Sequence, residues 1–170
     1  MSQRNRILIV VGVIVALAAG AAIYGLVLQN QMKNASDDTP QPNMIHLYVD
    51  GKFVANVSPA QLNDLPAASF TDTEEGKLQE GWWLHDVVRL YVDESRLTAS
   101  SEIEVAGVRN TTGETKSKTL TWEEATEPAN NVIFDLSGDG QSIKLASTMA
   151  GFDIRDAWIQ GINRIDVRTK

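Results

Sequence analysis

The chain has 170 residues, a formal net charge of −7 and no cysteine. Without a thiol it cannot form disulfides, thiolate metal sites, iron–sulfur clusters, thioether-linked haem or a cysteine nucleophile. Its two histidines are too few for a histidine-rich zinc or copper centre, and its acidic balance argues against a nucleic acid partner, whose phosphates it would repel.

Residues 7–28 contain no charged side chain and predict a single transmembrane helix. At about 1.5 Å per residue this helix would be roughly 33 Å long, enough for a hydrocarbon core of about 30 Å. Arg4 and Arg6 precede the span, so the positive-inside rule places residues 1–6 in the cytoplasm of a bacterium and the rest of the chain in the periplasm. A cleaved signal peptide is the alternative, but the length of the apolar run favours an uncleaved anchor in the inner membrane.

Gly12, Ala16 and Gly20 recur at every fourth position of this span and would share one helix face. Small residues allow a second helix to approach closely, so the stripe predicts packing against another membrane protein subunit. The general frequency of glycine and alanine in membrane helices explains the stripe equally well. The predicted partners of the span are the lipid bilayer and membrane protein subunits.

The composition changes after the span. Residues 29–43 are polar, include Pro40 and Pro42 and show no apolar periodicity, which predicts a linker. Residues 44–170 have the length of one domain with its own core. We expect this extracytoplasmic domain to be α+β and mostly β.

The sequence of the domain predicts short strands joined by tight turns. Asp50-Gly51 is typical of a hairpin turn, and Ser58-Pro59 is typical of the N-cap and first residue of a short helix. A second short helical turn is predicted at residues 122–124. The predicted strands are residues 45–49, 53–57, 68–71, 103–108, 118–121, 132–136, 143–145 and 163–167.

Residues 81–92, GWWLHDVVRLYV, predict the clearest helix of the domain, because the apolar residues Leu84, Val87, Val88 and Tyr91 fall at helical spacing. Trp82 and Trp83 adjoin each other at its start and could not both face one core. One of them is therefore the candidate for an exposed contact with a partner or with the membrane surface. The alternative is that both rings are buried between loop and helix.

A family resemblance rests on the order of four segments: LYVDGKFVANVSPAQLNDLP, GWWLHDVVRLYV, EIEVAGVRNTTGETKSKTLTWEEA and GFDIRDAWIQGINRIDV. In this order they resemble the molybdopterin-binding domain of sulfite-oxidase-type oxidoreductases. The resemblance spans nearly all of residues 44–170 and implies the mostly β, α+β fold of that family. The matching positions are Leu84, Asp86, Val87, Val88, Glu123, Glu124, Trp158, Ile162, Ile165 and Val167.

The chain departs from that family where the cofactor is bound. The oxidising members hold molybdenum through a cysteine thiolate and the pterin phosphate through basic and histidine side chains. Here residues 73–80 offer one lysine against three glutamates, and residues 147–151 contain no basic side chain. A soft metal without a thiolate and a phosphate facing carboxylates are both unfavourable, so we expect a scaffold that has lost the cofactor and is not an enzyme.

The predicted function is a noncatalytic accessory subunit of a larger membrane complex. By analogy with the family's general setting, the complex would belong to respiratory or photosynthetic electron transfer. The domain would brace neighbouring subunits or help to dock a soluble electron carrier. The alternative is a domain that binds a pterin-like or other small molecule, or retains oxidoreductase activity, in the family's pocket.

Two further motifs predict little chemistry. Residues 135–140 match the first half of a calcium loop, but Ala146 stands where a bidentate glutamate is needed, so a plain hairpin turn is favoured. Ser58, Ser147 and Thr148 are nucleophile types, but the chain has no Gly-x-Ser-x-Gly elbow.

The remaining candidate sites are two histidines and three glycosylation sequons. His46 and His85 lie in apolar patterns, where a structural role is favoured. The sequons begin at Asn34, Asn56 and Asn110 and would matter only in a eukaryotic secretory pathway.

Overall fold

A computed structural model describes residues 39–109, 111–136 and 142–169. The chain divides into two units, Met1–Asp37 and Asp38–Lys170, and all the described residues lie in the second. The predicted span 7–28 and its stripe of Gly12, Ala16 and Gly20 fall outside the described residues. Among the residues that are described, no helix combines the length and apolar character needed to cross a membrane.

The described part of the chain is an α+β domain that is mostly β, as the sequence predicts. Its helices are all short, and most of its residues lie in strands and turns. The elements are β1 (Ile45–Val49), β2 (Lys52–Val57), α1 (Pro59–Leu62), β3 (Ala67–Thr71), β4 (Leu78–Trp83), α2 (Leu84–Arg89), a 3₁₀ turn (Glu94–Arg96), β5 (Glu102–Val108), β6 (Thr115–Thr121), α3 (Trp122–Thr126), a second 3₁₀ turn (Pro128–Asn130), β7 (Ile133–Leu136), β8 (Ile143–Ala146) and β9 (Ile162–Arg168).

The strands form two sheets. One sheet has the order β2-β1-β9-β5-β6, and the other has the order β3-β4-β7-β8. Strand β9 runs parallel to β1, whereas the other pairs are antiparallel. The last strand therefore lies at the centre of the five-stranded sheet. Its Ile165 is in register with Leu47 of β1 and Val105 of β5, and all three side chains are fully buried in the core.

The opposite face of this sheet is polar. Arg168 donates to the carboxylates of Glu102 and Glu104 across β5, at 3.2 and 2.9 Å. Arg164 pairs with Asp166 on β9, and its guanidinium carbon lies 4.1 Å from the centre of the Tyr48 ring. The alternation of apolar and charged residues along β5 and β9 thus gives the sheet one buried and one hydrated face.

The predicted hairpin at Asp50-Gly51 is confirmed. Both turn residues have positive φ, +50° and +76°, as the tight turns favoured between right-twisted strands require. The predicted start of α1 is confirmed as well, because the backbone N–H and the hydroxyl of Ser58 both donate to Gln61 Oε1, at 2.7 and 3.0 Å.

The helix predicted for residues 81–92 is wrong at its start. Gly81, Trp82 and Trp83 belong to β4, which pairs with β3 on one side and with β7 on the other. Pairing on both edges outweighs the helical spacing that follows, and aromatic residues fit well in strands. Helix α2 occupies only Leu84–Arg89, and it buries Leu84 and two valines as the pattern predicts.

Strand β6 is longer than predicted. Its first half carries polar residues, so the sequence does not show the pattern of a strand there. Lys116 and Lys118 occupy the positions opposite Gly107 and Val105, on the face that carries the core. The Lys118 ammonium lies 5.3 Å from the centre of the Phe152 ring, and Lys116 Nζ donates to the Asp156 carbonyl at 2.9 Å. The apolar alternation that marks a half-buried strand is therefore missing from β6.

We predict that Gly81→Ala destabilises the domain strongly, because a Cβ there would lie 1.8 Å from the Phe134 carbonyl oxygen. The expected loss is about 3 kcal/mol of unfolding free energy. Gly76→Ala is the matched control, since φ is +67° but no atom lies within 4 Å of the added Cβ, and it should cost only about 1 kcal/mol. Denaturant unfolding of the full chain, followed by tryptophan fluorescence, measures both. Equal losses in the two variants would contradict the close approach of β4 and β7.

Candidate functional site

The two adjacent tryptophans face opposite sides of β4, because successive residues of a strand alternate. Trp82 is in register with Phe134 and is only 8% exposed. Trp83 is in register with Ile133 and is half-buried at the end of the strand. Trp82 is therefore a core residue and cannot serve as an exposed anchor. Trp83 is the member of the predicted pair that remains a candidate for an interface.

Helix α2 places a histidine next to Trp83. The His85 and Trp83 rings are stacked, with centroids 5.9 Å apart and planes inclined by 10°. His85 Nδ1 lies 3.1 Å from the Ala125 carbonyl oxygen and must carry the hydrogen, since a carbonyl only accepts. Its Nε2 lies 3.4 Å from Asp86 Oδ1. The ring is thus held from three sides, by α3, by Asp86 and by Trp83.

Arg89 continues this surface one turn further along α2. Its guanidinium donates to Glu94 at 2.7 Å and to Asp86 at 3.3 Å, and it lies 5.4 Å from the centre of the Trp122 ring. The hydrogen bond to Glu94 is the main reason why the pKa of Arg89 is raised. We call Trp83, His85, Asp86 and Arg89 the Trp83 surface. Its aromatic and charged side chains are mutually supported and largely fixed in orientation.

A second polar cluster is partly buried, and it centres on Asp72, the residue that follows β3. The Asp72 side chain has no exposed surface and accepts three hydrogen bonds. The donors are the Glu75 backbone N–H at 2.6 Å, Gln79 Nε2 at 2.9 Å and Arg155 Nη2 at 3.0 Å. These donors, the backbone N–H foremost, lower the pKa of Asp72 to about 2. Asp72 is therefore a permanent anion near neutral pH and cannot act there as a proton donor.

The cluster extends into the four-stranded sheet. Lys144 Nζ donates to Gln79 Oε1 at 2.9 Å and lies 3.3 Å from the carboxylate of Asp135. Burial raises the pKa of Asp135, although Lys144 opposes that effect. Lys144 and Arg155 also approach the Trp158 ring, at 5.4 and 5.9 Å from its centre. Each buried charge of this cluster has an opposite charge beside it, which is the condition for tolerating charges in a protein interior.

The described arginines all lie close to carboxylates. Each arginine in these ranges has a guanidinium nitrogen at 3.8 Å or less from a carboxylate oxygen. A phosphate bound by these arginines would have to share the guanidinium with a carboxylate. The described residues also bring together no group of three or more His, Asp or Glu side chains that could hold a metal ion.

The residues that carry the family resemblance have mainly structural positions. Asp86 and Glu124 are polar and have local partners, Arg89 and the N-cap residue Thr121, while Glu123 is exposed. The remaining positions lie in the core: Leu84, Val87, Val88, Trp158, Ile162, Ile165 and Val167.

The candidate nucleophiles also have local partners. Ser58 is part of the cap of α1, whereas Ser147 is fully buried and donates to the Asn130 carbonyl at 2.6 Å. Thr148 donates to the Ala129 carbonyl at 2.9 Å. Of the possible ligand residues in the calcium motif only Asp135 is described, and it pairs with Lys144, while residues 137–140 lie outside the described ranges.

Of the sequons, those at Asn34 and Asn110 begin outside the described ranges, and Asn56 is buried with both side-chain amide atoms hydrogen-bonded. His46 and His85 each contact a backbone carbonyl, those of Gln41 and Ala125.

The Asp72 cluster is not predicted from the sequence. The turn that follows Asp72 contains Gly76 with φ +67°, and an aspartate before such a turn is a recognisable signal for side-chain capping of the backbone. No local signal could have supplied Arg155, which is 83 residues away in sequence.

The chain matches no known family model, and a search of curated proteins also gives no match.

We predict that Asp72 makes the domain sensitive to acid. Its pKa of about 2 lies below the ordinary 3.8, so the ionised group stabilises the fold above about pH 4. That stabilisation should disappear as the pH falls from about 4 to about 2. Asp72→Asn should lower the unfolding free energy at neutral pH and flatten its decline in acid. Urea unfolding at several pH values measures this, with Asp64→Asn, at an exposed aspartate, as the control that should follow wild type. An unchanged acid profile in Asp72→Asn would contradict the assignment.

Proposed function

We propose that this protein is a noncatalytic accessory subunit of a membrane complex, anchored in a bacterial inner membrane by residues 7–28. The domain that follows is periplasmic and binds a neighbouring protein subunit. The apolar run and its preceding arginines support the anchor, because they meet the length and charge criteria of a membrane span. The link to respiratory or photosynthetic electron transfer, including a soluble electron carrier, rests on the family resemblance alone.

The observation that carries the proposed binding role is the Trp83 surface. Tryptophan and arginine are enriched among the residues that dominate binding energy at interfaces. Here the stack with His85 and the ion pairs of Arg89 restrict these side chains before any partner binds. Restricting side chains in advance reduces the entropy lost on association. The surface is therefore suited to bind a protein.

The alternative is a domain that binds a pterin-like ligand or retains oxidoreductase activity. A pterin phosphate would need free cationic donors, and the described arginines are each paired with a carboxylate. Metal analysis and absorption spectra of protein purified from native membranes distinguish the two functions. Stoichiometric molybdenum or a bound chromophore would support the alternative.

We predict that Trp83→Ala weakens the complex while the domain stays folded. Loss of a central interface tryptophan typically costs about 2 kcal/mol, which is roughly 30-fold in affinity. The measurement is quantitative mass spectrometry of proteins that co-purify with the tagged full chain in mild detergent. Leu78→Ala is the matched control, because Leu78 lies at the other end of β4 and is 59% exposed.

Trp82→Ala serves a different purpose in the same experiment. Because Trp82 is a core residue, its truncation should destabilise the domain by about 3–5 kcal/mol. It shows how a folding defect affects complex yield. A normal yield of complex with folded Trp83→Ala would contradict the proposed interface.

A further inference from the structure

The chain enters the domain through a short segment that is hydrogen-bonded to the five-stranded sheet. Asn56 Nδ2 donates to the Thr39 carbonyl at 3.0 Å, and Asn56 Oδ1 accepts the Gln41 backbone N–H at 2.9 Å. His46 Nε2 lies 2.7 Å from the Gln41 carbonyl and must donate to it. Two side chains of the sheet therefore hold three backbone groups of the incoming segment.

The positions of these two side chains match their common role. His46 of β1 and Asn56 of β2 are direct cross-strand partners, so they point to the same face of the sheet. Asn56 is only 6% exposed although β2 is an edge strand, and both its amide atoms are used. Both polar atoms of the buried Asn56 amide thus have hydrogen-bond partners. The amide stabilises the backbone arrangement that provides these partners.

The sequence of the segment also favours a fixed conformation. Pro40 and Pro42 flank Gln41 and restrict the backbone on both sides of the clamped residue. Asn43 has φ +62°, a left-handed conformation that asparagine tolerates better than most residues, and two residues later β1 begins. Proline restriction lowers the entropy that is lost when the segment binds to the sheet.

We propose that residues 39–43 form a strap, clamped by Asn56 and His46, that fixes where the membrane tether joins the domain and limits its reach. This inference rests on the membrane anchor of the proposed function. Residues 29–38 separate the predicted span from the strap and can extend over about 36 Å at most. Releasing the strap would add residues 39–43 to the tether and lengthen its maximal reach by about 18 Å.

The test uses the full chain in lipid nanodiscs and two measurements. Amide hydrogen exchange by NMR reports whether the Gln41 N–H is bonded, and energy transfer from a dye on the domain to labelled lipid reports the distance to the membrane. In wild type, Gln41 should exchange at least tenfold more slowly than in an unstructured peptide. Asn56→Ala should abolish this protection and increase the mean distance, while amides of β5 and β9 remain protected.

Two further variants keep the result interpretable. Asn56→Asp preserves the size of the side chain and the acceptor for Gln41, but its carboxylate would face the Thr39 carbonyl, so it should release the strap as well. Asn63→Ala changes an exposed asparagine and should behave as wild type.

The possible failures are distinguishable. Rapid exchange of Gln41 in wild type would overturn the strap itself. Loss of protection in Asn56→Ala without a change in distance would overturn its control of reach. Failure of the chain to enter nanodiscs would instead refute the membrane anchor, and with it the control of reach, while Gln41 exchange still decides whether the clamp exists.

Discussion

The ion pair between the fully buried carboxylate of Asp72 and the partly exposed Arg155 holds the connection between the two sheets in place. Arg155 lies in the long connection that leaves β8 in one sheet and returns as β9 in the middle of the other. Asp156, the next residue, faces Arg109 at 3.8 Å, and its carbonyl accepts from Lys116, so the connection is also held to the β5–β6 hairpin. The adjacent residues Arg155 and Asp156 thus hold the β8–β9 connection to the ends of the β3–β4 and β5–β6 hairpins. Phe152 and Trp158 belong to the same connection and are buried in the core.

Local signals predicted the local structure well. The Asp50-Gly51 turn, the cap at Ser58, the helical turn at residues 122–124 and the buried face of α2 all depend on residues within a few positions of each other. The main error concerned β4, whose identity depends on two partner strands rather than on its own pattern. The first half of β6 is not predicted for a related reason. Lysines occupy the positions at which a half-buried strand usually has apolar residues.

In the candidate site, too, local features are predictable from the sequence and contacts between distant segments are not. Sequence reasoning could identify the tryptophan pair, but only strand alternation separates the core residue Trp82 from Trp83. It could not find the Asp72 cluster, because Asp72, Lys144 and Arg155 come from distant segments. The acidic composition around residue 75, read from sequence as unfavourable for a phosphate, has a structural counterpart. Glu75 pairs with Arg155 at 2.7 Å, and the same guanidinium also binds Asp72.

The two lysines on the inner face of β6 have a consequence for the behaviour of many copies of the chain. β6 is an outermost strand, and such a strand offers its backbone as a template for the same strand of another molecule. Inward-pointing charged side chains on such a strand, here Lys116 and Lys118, disfavour edge-to-edge pairing. If the proposed membrane anchor holds, copies of the chain would meet in the plane of the bilayer more often than in dilute solution. These lysines would then act as a safeguard against fibril-like growth.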